Sequence, residues 1–221
     1  MDPDFWHRRW DKNEIGFHEG RANSMLTKHW ASLGLPRGST VFVPLCGKAI
    51  DMAWLAAQGH RVLGVELSAI AARDFFREHG LEPEVVARDG FEVSRAGGIE
   101  IWCGDLFKLQ PSHLAGVIAI YDRAALVALP PAMQELYIDK IAGIMPLSAR
   151  ILLIAFNYDQ SQAAGPPFAT PPARVHELCS GRFAVTEIDR HDVLELNPNL
   201  KSRGLTWLEE HVMMLERLRR D

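Results

Sequence analysis

Two short stretches carry the residue types best suited to chemistry. The first is "PLCGK", Pro44 to Lys48, which follows the apolar run Val41-Phe42-Val43. The second is "GVELS", which sets Glu66 at the end of another apolar run. The separation is close to the twenty or so residues at which an acid meets a ribose in nucleotide-binding half-folds. A carboxylate accepts hydrogen bonds from two adjacent hydroxyls at once, which suits a ribose with free 2′ and 3′ hydroxyls. A loop that opens a helix offers backbone amides without helical partners, and Gly47 lets a ligand approach the chain closely. Alone, Gly47 is equally a structural turn, and Glu66 alone is a solvated charge at a strand end. Their placement across one strand, loop, helix and strand favours a ligand.

The loop does not suit phosphates. A P-loop requires glycine where Phe42 stands and a magnesium-binding hydroxyl where Ala49 stands, and the dinucleotide pattern GxGxxG is absent. A ligand with a ribose but no pyrophosphate explains both the acid and the missing glycines. S-adenosylmethionine has that constitution: adenine, ribose and a zwitterionic methionine tail. Two further pairs sit at strand ends. Asp105-Leu106 offers a polar group beside an apolar one, fit for the edge and face of an adenine, although a strand-end cap is an equal reading. Asp122-Arg123 places a cation where a reacting centre would lie, to bind a carboxylate or polarise an acceptor. The competing reading is a surface ion pair of Arg123 with Asp122 or another acid. No GxSxG elbow and no HExxH pair occurs, so neither a hydrolase triad nor a metal is expected.

The elements that must position these groups follow from periodicity and breakers. Ala22–Leu33 has a helical apolar face, ended by Gly34 and the turn "LPRGS". Val41–Val43 and Val62–Val65 read as buried strands around a helix over Ile50–Gln58, closed by Gly59. Ser68 caps a helix that runs to His79. Glu84–Ala87 reads as a strand, and alternation on both sides of Gly97-Gly98 reads as a hairpin. Strands at Gly116–Tyr121, Arg150–Tyr158 and Arg182–Asp189 alternate with helices at Pro131–Ile144 and Ala173–Cys179. The proline-rich "DQSQAAGPPFATPP" is a loop long enough to carry function. Leu208, Val212, Leu215 and Leu218 suit a helix by spacing, while the aromatic and branched content of the same stretch permits a strand. The alternation of strands and helices predicts an α/β sheet, largely parallel, with ligands at the carboxyl ends of its strands.

Composition bounds the rest. The 221 residues allow one large domain, and 48% hydrophobic with 24% charged residues is an ordinary globular make-up. A net charge of -4 argues against a nucleic-acid partner. Three cysteines without a CxxC pair argue for a reducing compartment. With no apolar run of membrane-spanning length, the expectation is a cytoplasmic protein that does not meet a membrane.

Several stretches together resemble the thiopurine S-methyltransferases, in particular their bacterial branch. They are "FVPLCGKAIDMAWLAAQGHRVLGVELS", "FWHRRWDKNEIGFHEG", "YDRAALVALPP" and "GPPF", and the likeness runs from about Phe5 to Leu215. The resemblance implies a Rossmann-like class I S-adenosylmethionine-dependent methyltransferase: one domain over residues 1–221 with a seven-stranded, mostly parallel sheet flanked by helices. Its last strand is reversed, which makes the Leu205–Leu215 stretch a strand. Residues 1–38 form an N-terminal arm over the cofactor, with Trp10 and Phe17 packed on it. By matched position Leu45, beside Gly47, meets the methionine part, Glu66 the ribose and Asp105-Leu106 the adenosine part. Arg123 lies near both cofactor and acceptor, and is the expected catalytic residue. The implied reaction is methyl transfer to the sulfur of thiopurines or related aromatic thiols, with S-adenosylhomocysteine as product, by a monomer acting on a small molecule. Methylation of selenium or tellurium species as a detoxification, and a nucleoside-binding module without turnover, are the alternatives. "LNPNLKSRGLTW" departs from the family where some animal members place a substrate-facing arginine; Arg203 is offset there.

Overall fold

The computed structural model describes residues 3–15 and 19–218. They fall into two compact units, Met1–Ile120 and Tyr121–Asp221.

The first unit opens with helix α1 (Pro3–Asp11) and a short helix α2 (Ser24–His29), continued by a 3-10 turn over Trp30–Leu33. Asn23 caps α2: its side-chain oxygen accepts the Met25 N–H at 2.8 Å and the Leu26 N–H at 3.2 Å. The Asn23 N–H in turn donates to the buried Asp51 carboxylate at 2.8 Å. Then follow β1 (Thr40–Val43), α3 (Ile50–Ala57), β2 (Arg61–Glu66), α4 (Ala69–Glu78), β3 (Glu84–Arg88), β4 (Phe91–Ala96), β5 (Ile99–Cys103) and β6 (Val117–Arg123). Strands lie in the order β3-β4-β5-β2-β1-β6. β5, β2, β1 and β6 run parallel, with Val43 level with Gly64 and Glu66 level with Cys103. Their apolar runs are buried on both faces, as parallel strands between helices must be.

The second unit contains the end of β6, α5 (Pro131–Ile144), β7 (Arg150–Asn157), α6 (Pro172–Cys179), β8 (Phe183–Asp192), α7 (Pro198–Ser202) and β9 (Glu209–Arg217). Here β9 lies between β7 and β8, antiparallel to both. This is the reversed strand that the family resemblance implies. Helical spacing misleads because Glu210, His211, Val212 and Met213 are buried in succession, which one helix face does not do. Leu208 belongs instead to a side cluster with Tyr158, Val193, Leu200 and Leu205, and Leu218 is exposed.

Among the described residues nine strands occur where seven are expected. The extra pair is β3 and β4, a hairpin added antiparallel to β5. The sequence signals all three strands of that region; only their addition to the edge departs from the expected count. β6 also continues through Arg123, so Asp122 and Arg123 end the strand rather than follow it.

Candidate functional site

The loop between β1 and α3 is shaped by backbone conformations that most residues avoid. Leu45 has φ 45° and Gly47 φ 51°, both left-handed. Between them the Cys46 N–H extends the ladder by donating to the Val65 carbonyl at 2.9 Å. This fold of the loop over β2 explains Gly64, where an added Cβ would lie 2.7 Å from Cys46 Sγ and 3.1 Å from Met52 Sδ. At Gly47 an added Cβ would meet the Trp10 ring, 3.1 Å from Cζ2. Trp10, buried on α1, therefore lies against the loop. Phe17 lies outside the described residues.

Glu66 closes β2 with its carboxylate oriented by the main chain. One oxygen accepts the Gly47 N–H at 2.9 Å and the other accepts the Ser68 N–H at 2.8 Å. Each oxygen keeps a lone pair for a further donor. Burial pushes the Glu66 carboxyl above its usual range, and the amides of Ser68, Gly47 and Leu67 oppose that rise. The neighbouring thiols are pushed up as well: Cys46 well above normal by burial and then by Glu66, and Cys103 to about 11 by burial, Glu66 and Glu92. Both shifts favour the neutral thiol over the thiolate. Lys48 turns away from a phosphate-binding role: its ammonium pairs with Glu78 on α4 at 2.6 Å.

Gly104 carries the chain from β5 to Asp105, whose carboxylate accepts the Phe107 N–H at 2.9 Å and caps a short turn. Leu106 is buried. Thus Trp10, Leu45, Gly47 and Glu66 form one connected set, and Asp105-Leu106 begins two residues beyond β5, the strand paired with β2.

In the second unit Arg123 is half-buried at the carboxyl end of β6. Asp122 is not a surface partner for it. The acid is buried and accepts the Tyr137 O–H at 2.6 Å and the Leu126 N–H at 3.2 Å. Sequence reasoning misses Tyr137, because a tyrosine on a buried helix face carries no spacing signal for its hydroxyl partner. The loop after β7 is tied at many points, and its peptides Gly165-Pro166 and Pro166-Pro167 are cis. The Tyr158 O–H donates to the Pro167 carbonyl at 2.5 Å, and Arg203 donates to the Pro166 carbonyl at 3.1 Å. Gln162 and Thr206 exchange hydrogen bonds, with the Thr206 N–H 2.9 Å from the Gln162 side-chain oxygen.

The architecture is shared with solved methyltransferases. A Burkholderia thailandensis 1,6-didemethyltoxoflavin-N1-methyltransferase matches with TM-score 0.63 at 18% identity, covering 98% of this chain and 86% of that one. A TehB-like S-adenosylmethionine-dependent methyltransferase from Corynebacterium glutamicum matches with TM-score 0.59 at 15% identity, covering 98% of each chain. The fold is therefore that of the S-adenosylmethionine-dependent methyltransferases. Sequence narrows it further. The family model described as thiopurine S-methyltransferase matches residues 1–218. The thiopurine S-methyltransferase of Pseudomonas paraeruginosa is 50% identical over 98% of this chain and all of that protein; one from Pseudomonas entomophila is 48% identical over the same shares. This chain belongs to the thiopurine S-methyltransferase family.

Proposed function

We propose that the protein transfers the methyl group of S-adenosylmethionine to the sulfur of thiopurines or related aromatic thiols. The observation that carries the cofactor is Glu66, a buried carboxylate whose two oxygens are fixed by Gly47 and Ser68 amides with acceptor capacity left on each. Two ribose hydroxyls satisfy that capacity, and a buried charge favours such donors strongly. The fit extends to the loop, where Gly47 has no side chain and the Trp10 ring lies over it. Family membership supports the acceptor.

Glu66 would hold the ribose, Leu45 and the loop amides the methionine part, and Asp105-Leu106 the adenosine part. Bound there, S-adenosylmethionine supplies a methyl group on a cationic sulfonium. The acceptor sulfur would form its bond to that methyl as the methyl–sulfonium bond breaks, with S-adenosylhomocysteine as the leaving group. Opposite charges vanish as the thiolate and sulfonium approach, so a dry pocket does not oppose the step. Trp10 excludes water from the loop side. Arg123 binds the acceptor as its thiolate, which lowers the acceptor's pKa and leaves its proton to solvent. Alignment of the two sulfurs about the methyl provides much of the rate. The acidity of aromatic thiols removes the need for a strong base.

Thermal unfolding with S-adenosylhomocysteine, NAD and ATP tests the cofactor: only the first should raise the melting temperature. Turnover with a panel of thiopurines, aliphatic thiols and selenium or tellurium oxyanions tests the acceptor. Preferred turnover of an oxyanion would replace the sulfur assignment with a detoxification role, and binding without turnover of any acceptor would leave a nucleoside-binding module.

A further inference from the structure

The end of β6 holds a buried acid that the chemistry above does not use. Asp122 is 3% exposed. Its carboxylate takes the Tyr137 O–H from α5 at 2.6 Å, the Leu126 N–H at 3.2 Å and the Ala125 N–H. Those amides belong to the turn that begins directly after Arg123. Between Arg123 and those amides stands Ala124 at φ 68°, a non-glycine residue in the left-handed region. Side chains alternate along a strand, so Arg123 projects to the face opposite Asp122. The backbone is thus set on both sides of Arg123. Before it, Asp122 is clamped to α5; after it, a strained residue is held by amides bound to the same carboxylate. The turn also reaches the loop after β7, where the Phe168 N–H donates to the Val127 carbonyl at 2.6 Å. Stability alone does not call for this acid, since burial raises its pKa to about 6 despite the hydrogen bonds.

We propose that Asp122, held by Tyr137, is a positioning residue for Arg123: it fixes the turn that aims the guanidinium and steadies the Pro166–Phe168 loop, so its loss lowers turnover rather than cofactor affinity. The inference rests on the reading of Arg123 given above.

The test compares Asp122→Ala, Asp122→Asn, Tyr137→Phe and Arg123→Ala, measuring kcat and KM for a thiopurine, Kd for S-adenosylhomocysteine, and thermal unfolding. Asp122→Ala should lower kcat tenfold or more with Kd within twofold. Asp122→Asn should recover part of that loss, because its oxygen still accepts an amide. Tyr137→Phe should fall between wild type and Asp122→Ala. The wild-type kcat should also decline below pH 6 or so as Asp122 takes up a proton. Asp122→Asn should lack that limb. The titratable neighbours do not interfere: Tyr137 on α5 is pushed well above its usual range by burial, and Cys179 on α6 to about 12. Wild-type kcat in folded Asp122→Asn and Tyr137→Phe, with Arg123→Ala inactive, overturns the proposal. So does an equal loss of kcat and cofactor affinity, which marks a general structural role. If Asp122→Ala does not fold, the other two variants decide. Full activity in Arg123→Ala refutes the reading of Arg123 itself.

Discussion

Replacing Glu66 by glutamine separates cofactor binding from folding. The carboxylate oxygens accept the Gly47 N–H at 2.9 Å and the Ser68 N–H at 2.8 Å. Glutamine keeps the shape but turns one oxygen into an amide donor, so in either orientation one backbone N–H faces another donor. A buried amide left without its acceptor costs about 1–3 kcal/mol. The same substitution removes a buried charge, and the raised Glu66 pKa says that burial outweighs the amides that favour ionisation. The two effects oppose, so a net loss of about 1 kcal/mol is expected, a fall of roughly 2–4 °C in melting temperature. The ligand has no such offset. A hydrogen bond to a charged acceptor contributes about 1.5–3 kcal/mol, and the amide NH2 cannot accept from a hydroxyl. Affinity for S-adenosylhomocysteine should therefore fall about tenfold to a hundredfold. Calorimetry at a temperature where both proteins are folded reads this directly. Unchanged affinity would refute the ribose assignment, and an affinity loss explained by a large fall in stability would refute the separation.

Three other outcomes are expected. Gly47→Ala forces a Cβ to 3.1 Å from the Trp10 ring at φ 51°, so cofactor affinity should drop about tenfold as Trp10 is displaced; tryptophan fluorescence with a binding titration reads both effects. Arg123→Ala should reduce kcat about a hundredfold in a thiopurine assay with little change in melting temperature. Asp122 makes stability depend on pH: its folded value of about 6 exceeds 3.8, so the folded protein holds the extra proton between these limits and loses stability as pH rises through them. That gap corresponds to on the order of 3 kcal/mol, and Asp122→Asn should remove the decline in denaturant unfolding between those pH values. His60 acts in the opposite sense, since burial and Arg37 lower its pKa and stability falls as pH drops below 6.5. The readout is therefore the difference between variant and wild type.

Much of the first unit is legible from the sequence because local signals agree there. Ser68 caps α4, Gly59 and Gly80 turn with positive φ, and Glu66 ends β2 as its apolar run requires. Proline in the first turn marks the start of α5 at Pro131. What remains hidden depends on partners distant in sequence. The glycine at 64 is explained only by Cys46 and Met52 lying over it. The pairing of Asp122 with Tyr137 spans fifteen positions and shows no motif. β9 carries a buried glutamate and histidine inside its apolar run, which breaks the strand pattern and leaves a misleading helical spacing. Arg203, offset from the expected substrate-facing arginine, instead donates to the Pro166 carbonyl.

Methyl transfer to sulfur is the reaction assigned to this protein. Incubation of the protein with methyl-labelled S-adenosylmethionine and a thiopurine, followed by mass spectrometry, tests it most directly. One labelled methyl on the acceptor sulfur is expected for each S-adenosylhomocysteine released. Label on nitrogen, or none on the acceptor while the cofactor binds, would contradict it.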